Sequence, residues 1–297
     1  MSSLSCQFGR VGALSARRCL PSTGKRLLMR AMIMASALAV AVRGQRVHPS
    51  APKWCPHLMA SAGSSAHQDL LEYCGYLVKA HSMGLEKSAI VVDVGTDQGT
   101  EALTSRGFGH PVITFECRGS QAQRLLRSPW FNNDTGLRLV HACVTDHAGL
   151  GSLHRAVDSS SMLESSIQNP GAAWKANRER RAGEGIEPVP VMRLDSALDA
   201  RSFEALGWSG LAGRRIGFLK LDVQGVEKTV LRGAVETLRR HRPFIAFEYT
   251  LLPESDRNGT TLINEVLRNA FHGGGHRRVH YSCECGRNDC FCHAPWA

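Results

Sequence analysis

Four short apolar runs constrain the fold more than anything else in the chain: AIVVDVG (Ala89–Gly95), PVITFEC (Pro111–Cys117), FLKLD (Phe218–Asp222) and PFIAFEY (Pro243–Tyr249). Each is β-branched or aromatic, shows little polar alternation, and carries an acid at or near its C-terminal end. Such runs read as strands buried on both faces, which a parallel sheet between two helical layers provides. A fifth run, LRLVHACV (Leu137–Val144), has the same character. Amphipathic stretches lie between them and predict helices over Asp69–Met83, Gly99–Arg106, Ser120–Leu126, Val226–Arg240 and Asn258–Ala270. The alternation predicts an α/β, Rossmann-like domain with a mostly parallel sheet, helices on both faces, and a C-terminal antiparallel hairpin. No internal repeat is present. Val157–Pro188 breaks the pattern and reads as a functional loop or insert. Its Lys175, Arg178, Arg180 and Arg181 suit either an acidic substrate or, interleaved with Glu179 and Glu184, a solvated helix face.

The net charge of +10 invites a nucleic-acid reading that its distribution removes. Residues 1–68 hold nine of the 36 Lys and Arg and no acid; the other 27 stand against all 26 acidic residues. The domain itself is therefore nearly neutral, and no nucleic-acid partner is expected. Residues 1–46 read as a leader. Its apolar run Ala31–Val42 spans about 18 Å as a helix, too short for a hydrocarbon core of about 30 Å. Ala39 and Ala41 suit an A-x-A cleavage site, so a secretory signal is expected. A mitochondrial or plastid transit peptide and a short uncleaved anchor are the alternatives. Residues 47–68 read as a linker and 69–297 as the domain, with a Cys-rich hairpin over 276–297. Eight cysteines follow the leader, and two sequons stand at Asn133 and Asn258. Both features favour an oxidising compartment, the secretory pathway.

The strand ends carry the chemistry. In VDVGTDQGTEAL, Asp93 is read as closing its strand, Gly95 permits a tight turn and Gly99 opens a helix. A ligand can approach bare backbone and helix N-terminal amides there. Glu116, 17 residues after Gly99, is placed to accept hydrogen bonds from ribose hydroxyls. NAD and S-adenosylmethionine both suit this architecture. Asp97 stands where the second glycine of a G-x-G-x-x-G pyrophosphate loop would be, and an acid there repels a diphosphate but tolerates a sulfonium cation. S-adenosylmethionine is the expected cofactor.

The ordered set VVDVGTDQGTEAL, TFECRG, HACVTDHAG, VMRLDSAL, FLKLDVQGVEKTVLRGA and FIAFEY resembles the FkbM-type methyltransferases, a class I S-adenosylmethionine-dependent family, from about Ile90 to Tyr249. The resemblance implies a seven-stranded sheet and methyl transfer, often to hydroxyls of sugars or natural products. By position it implies a methionine-end loop of Asp93, Gly95, Asp97 and Gly99, a ribose contact at Glu116, and Asp146 near the adenine. Lys220, Asp222 and Glu227 would line the acceptor side. Two residues depart from the family pattern: Asp97 where Asn is usual, and Gln224 where Glu is usual. Strand alternation puts Lys220 and Asp222 on one side. Methyl transfer asks the protein to align donor and acceptor and to remove a proton, so Asp222 or Glu227 is the candidate base, with Glu248 a further one. A purely structural ion-pair network is the alternative for the Lys220–Asp222–Glu227 group.

The tail YSCECGRNDCFCHAP places Cys283 opposite Cys292 and Cys285 opposite Cys290 if it turns as a hairpin. Two disulfides, a zinc site, or pairing with Cys55 and Cys74 are open; the spacing is not C-x₂-C, and oxidation is favoured. No other metal site is expected. The reading is an O-methyltransferase acting on a small-molecule, glycan or lipid-linked acceptor. An NAD-dependent oxidoreductase and a catalytically silent binding module are the rivals.

Overall fold

The computed structural model describes residues 65–154, 186–249, 252, 254–270, 279–286 and 288–295. The predicted leader, nearly all of the linker, and Lys175, Arg178, Arg180 and Arg181 lie outside the described residues. Among the described residues no helix is long and apolar enough to cross a membrane.

The first helix, α1 (Ser65–Ser82), begins four residues before the expected domain boundary. Then come β1 (Ile90–Val94), α2 (Thr100–Gly107), β2 (Val112–Glu116), α3 (Gly119–Arg127), α4 (Pro129–Asn133) and β3 (Leu137–His141). A second group follows: β4 (Cys143–Thr145), β5 (Gly149–His154), β6 (Ile186–Arg193), α5 (Leu194–Ala197) and α6 (Ala200–Ala205). The chain returns through β7 (Ile216–Leu221), α7 (Glu227–Gly233), α8 (Val235–His241), β8 (Phe244–Glu248) and α9 (Gly259–Ala270) to β9 (Ser282–Cys285) and β10 (Asp289–His293).

Seven strands form one sheet in the order β3-β2-β1-β7-β8-β10-β9. The first five are parallel, and β10 is antiparallel to both β8 and β9. The C-terminal hairpin is thus the edge of the main sheet rather than an appendage. Alternation along the strands divides the core as expected for two covered faces. Val92, Val94, Leu219, Leu221, Ile245 and Phe247 pack on one side with residues of α7, α8 and α9. Val91, Phe218, Phe244, Ala246 and Phe291 pack on the other with Tyr73 and Leu77 of α1. Phe291 of β10 stacks on Phe244 and on Tyr76, which ties the hairpin to α1.

Three local expectations are revised. Leu137–Val144 is not one strand: it breaks at Ala142, and β4 joins a separate three-stranded sheet, β4-β6-β5. The expected loop ends in strand, because Ile186–Pro188 already belong to β6. In β6, Val189 and Val191 are buried while Pro188 and Pro190 face out. The prolines are tolerated because β4 pairs only with Val191–Arg193, leaving one side of β6 open where they lack an N–H. Finally, the helix expected over Val226–Arg240 is two. Gly233 at the break sits so close to β4 that an added Cβ would lie 2.0 Å from the Thr145 carbonyl oxygen. Asp195, from the VMRLD motif, accepts hydrogen bonds from the Glu236 and Thr237 amides at the start of α8.

Candidate active site

Strands β1 and β7 stay joined beyond their ends: the Asp222 amide donates to the Val94 carbonyl at 2.9 Å. Gly95 takes φ 85°, and a Cβ there would lie 1.9 Å from the Asp222 carbonyl oxygen, so only glycine lets the two loops meet. Gly99 at φ 79° packs its bare Cα on the Phe131 ring and opens α2.

Between these glycines, Asp97 holds φ 40°, uncommon for a residue with a side chain. Three partners fix it there. Its amide donates to Glu116 Oε2 at 2.9 Å, its carbonyl accepts from the Gln121 side chain, and its carboxylate pairs with Arg118. Glu116 Oε1 accepts from the Arg118 amide at 2.8 Å. A single carboxylate therefore knits the loop after β1 to the loop after β2. Burial pushes the Glu116 carboxyl above its ordinary value, while the two amides and the Arg118 guanidinium favour its charged form. Immediately beyond it, a Cys117–Cys143 disulfide ties the end of β2 to β4.

The expected acceptor residues divide into three settings. Lys220 lies directly across from Asp93 in the β1–β7 register and is almost wholly buried. Its ammonium stands 3.6 Å from Asp222 Oδ2 and 4.0 Å from Asp289 Oδ2 of β10. Burial opposes that charge, but Asp222, Asp289, Glu101 and Asp93 outweigh it and hold the Lys220 pKa above the usual ammonium value. Asp93 lies beneath the loop rather than in it, accepting from Thr114 Oγ1 at 3.1 Å, and burial raises its pKa.

Asp222 and Glu248 end the adjacent strands β7 and β8, and the Asp222 side chain is 37% exposed. The amide nitrogen of Gln224 donates to Asp222 Oδ1 at 2.8 Å and to Glu248 Oε2 at 3.0 Å. Glu227 points the other way. Its Oε1 accepts from the Val223 and Gly225 amides, both at 3.2 Å, while Oε2 is buried without a hydrogen-bond partner. Burial pushes its carboxyl up to about 8, so it is mostly protonated at neutral pH.

Asp93, Gly95, Asp97, Gly99, Glu116, Lys220, Asp222 and Glu227 thus gather at the carboxyl ends of β1, β2 and β7. Asp146 directly follows β4, lies 3.0 Å from His147 and sits against Gly233 at the C-terminal end of α7. Sequence reasoning missed Arg118, Gln121, Glu101, Asp289 and the Cys117–Cys143 bridge. The hairpin thiols pair as Cys283–Cys292 and Cys285–Cys290, which removes both the zinc reading and a pairing with Cys55 or Cys74. Cys74 is disulfide-bonded as well. These bridges suit an oxidising compartment.

Among solved structures, similarity is found to methyltransferase FkbM from Methylobacillus flagellatus KT, at 12% identity over 91% of this chain and 60% of that one, TM-score 0.42. The chain therefore spans 60% of that protein's length. The SAH-bound Podospora anserina methyltransferase PaMTH1 is 9% identical over 95% of this chain and 100% of that one, TM-score 0.35. The O-methyltransferase from Bacillus cereus in complex with SAH is 12% identical over 93% and 92%, TM-score 0.33. No curated protein matches the chain. The sequence model of the methyltransferase FkbM domain matches residues 93–278, from the acid of β1 to beyond α9. That span covers well over half of the chain and takes in every strand end of the crevice, and the chain belongs to the FkbM methyltransferase domain family.

Proposed function

We propose that this chain is an S-adenosylmethionine-dependent methyltransferase acting on a hydroxyl oxygen of a small-molecule, carbohydrate or lipid-linked acceptor. The observation that carries the reading is the junction of two parts at one sheet end. The glycine-turned loop Gly95–Gly99, knitted to Glu116, lies beside a partly exposed acid, Asp222, backed by a buried lysine.

The residues fit the cofactor. The Gly95–Gly99 backbone would hold its methionine end, and Glu116 its ribose: only two of the roughly four acceptor positions of that carboxylate are used by backbone amides. When bound, the cofactor supplies an electrophilic methyl group on a sulfonium. Asp222 is the proposed base. As the acceptor oxygen takes the methyl group, its proton passes to the Asp222 carboxylate, which Lys220 holds in place. Glu227 is assigned to holding the 222–226 turn, since its carboxyl faces inward. A secretory address rests on the disulfides and on the leader pattern.

Titration calorimetry of the full chain with S-adenosylmethionine, and separately with NAD, tests the reading. Micromolar binding of the first, absent in Glu116→Ala, is expected. Binding of NAD alone, or of neither by folded protein, overturns it.

A further inference from the structure

Gln224 is a neutral side chain set between two acids, and its backbone is unusual. It takes φ 58°, a left-handed conformation that side-chain-bearing residues adopt rarely and at a cost. Gly225 follows at φ 99°, so the turn leaving β7 passes through two successive left-handed residues. The β7–β8 register, which pairs Leu221 with Phe247, sets Asp222 and Glu248 side by side, and the conformation brings the Gln224 amide nitrogen between their carboxylates. The nitrogen has two hydrogens and no acceptor capacity, and it has one contact to each acid: Asp222 at 2.8 Å and Glu248 at 3.0 Å.

The surroundings make this placement consequential. Asp222 stands 3.6 Å from Lys220, and its charge is felt by Glu227 at the start of α7 and by Glu101 in the first turn of α2. Lys220 is itself shared with Asp289 of β10 and with Asp93. One ammonium thus serves several acids, and it lies on the Oδ2 side of Asp222, away from the Oδ1 that Gln224 holds. Two carboxylates brought together without a donor between them repel, and one takes up a proton.

We propose that Gln224 is a positioning residue whose amide holds Asp222 and Glu248 together as an ionised pair at the acceptor end of the crevice. Resting on the methyl-transfer reading, the proposal gives the pair its use: a carboxylate kept free of protons can accept one from the acceptor hydroxyl. The bridge also fixes the Asp222 rotamer, so its outer oxygen is presented in one direction. An acid in place of Gln224 would add a negative charge at the point where two already meet.

Two measurements on the full chain test the proposal without using cofactor or acceptor. In Gln224→Glu, with carbon-13 in the glutamate carboxyls, the additional carboxyl signal is expected to titrate roughly 1–3 pH units above the ordinary glutamate value of about 4.3. Adding Asp222→Asn to that variant should bring it back towards the ordinary value. A signal that titrates at the ordinary value, or ignores Asp222→Asn, overturns the proposal. Gln224→Met keeps the side-chain length and loses the donor. Its melting-temperature deficit relative to wild type is expected to grow from pH 5 to pH 8, because the repulsion it uncovers needs both acids ionised. An equal deficit at both pH values would mark Gln224 as packing only and overturn the proposal. Neither readout depends on methyl transfer, so failure of calorimetric cofactor binding would be a separate result.

Discussion

At the N-terminal ends of β1, β2 and β7 the chain places His110, His81 and His241; at the C-terminal ends of the same strands it places Asp93, Glu116, Lys220, Asp222 and Glu227. Both groups are wholly or partly withdrawn from water, yet they are settled differently. At the first end the rings bond to backbone at strand starts: His110 Nδ1 lies 3.0 Å from the Ala89 carbonyl, and His241 Nδ1 accepts from the Ile216 amide at 3.2 Å. His81 and His110 stack and meet through their Nε2 atoms at 3.0 Å. Burial lowers the pKa of all three histidines and so favours their neutral forms. At the second end charges face one another, and Asp222 remains partly open to solvent. Burial of an ionisable group is common to both ends and therefore diagnoses neither. What separates them is whether a group keeps unused bonding capacity facing outward.

Asp222→Asn attacks that distinction most directly. The change keeps shape and removes the base, so methyl transfer is expected to fall by roughly 10²–10⁴-fold. Cofactor affinity, measured by calorimetry, should stay within a few fold, since the Gly95–Gly99 loop and Glu116 are untouched. Full turnover in this variant would remove the proposed chemistry from the second end.

Glu227→Gln tests the distinction from the opposite side, within the same end of the sheet. The buried carboxyl has its folded pKa raised to about 8, above an unfolded value near 4.5. The folded state therefore binds more protons than the unfolded one between these values. Stability from this group is complete below the lower value and is lost as pH rises towards the upper one. Gln224 and Asp222 are unaffected by the swap, and the glutamine oxygen still accepts from the Val223 and Gly225 amides. The variant is expected to keep methyl transfer and to lose less stability than wild type between pH 5 and 8, by roughly 2–4 kcal/mol in denaturant titrations. Loss of turnover at unchanged stability would restore Glu227 as the base.

The sheet and the crevice acids were legible because they depend on local patterns. Continuous apolar runs fix a two-sided sheet, and an acid closing such a run has nowhere to go but the ligand end. Lys220 and Asp222 share a side by alternation alone. What could not be read depends on long-range contact. Asp289 reaches Lys220 only because the hairpin adds to β8, and nothing in DCFCH advertises that. Cys117 and Cys143 carry no spacing signal, since the break at Ala142 that brings them together is set by the second sheet. The prolines of β6 hid a strand whose Val189 and Val191 alternate correctly. Glu227 reads as a site residue by position, and its bonds to the Val223 and Gly225 amides depend on a turn whose conformation the sequence does not give.

The smallest expected effect lies at the first end. Burial lowers the His110 pKa to about 4, helped by His81, Lys87 and Arg106 and opposed by the bond to the Ala89 carbonyl. An unfolded histidine takes its proton near pH 6.5, whereas the folded one refuses it until about 4. Between those values the unfolded state binds more protons, so stability falls as pH drops from 6.5, and the loss is complete below about 4. The loss is expected to be about 2–3 kcal/mol. His110→Asn keeps a donor for Ala89, because an asparagine amide nitrogen occupies nearly the place of Nδ1, and it cannot titrate. Thermal unfolding from pH 7 to 4 should show a shallower decline in the variant, with methyl transfer at pH 7.5 unchanged. An unchanged decline would assign the titration to His81 instead. A fall in turnover would break the comparison itself, by giving the far end of the sheet a part in the chemistry.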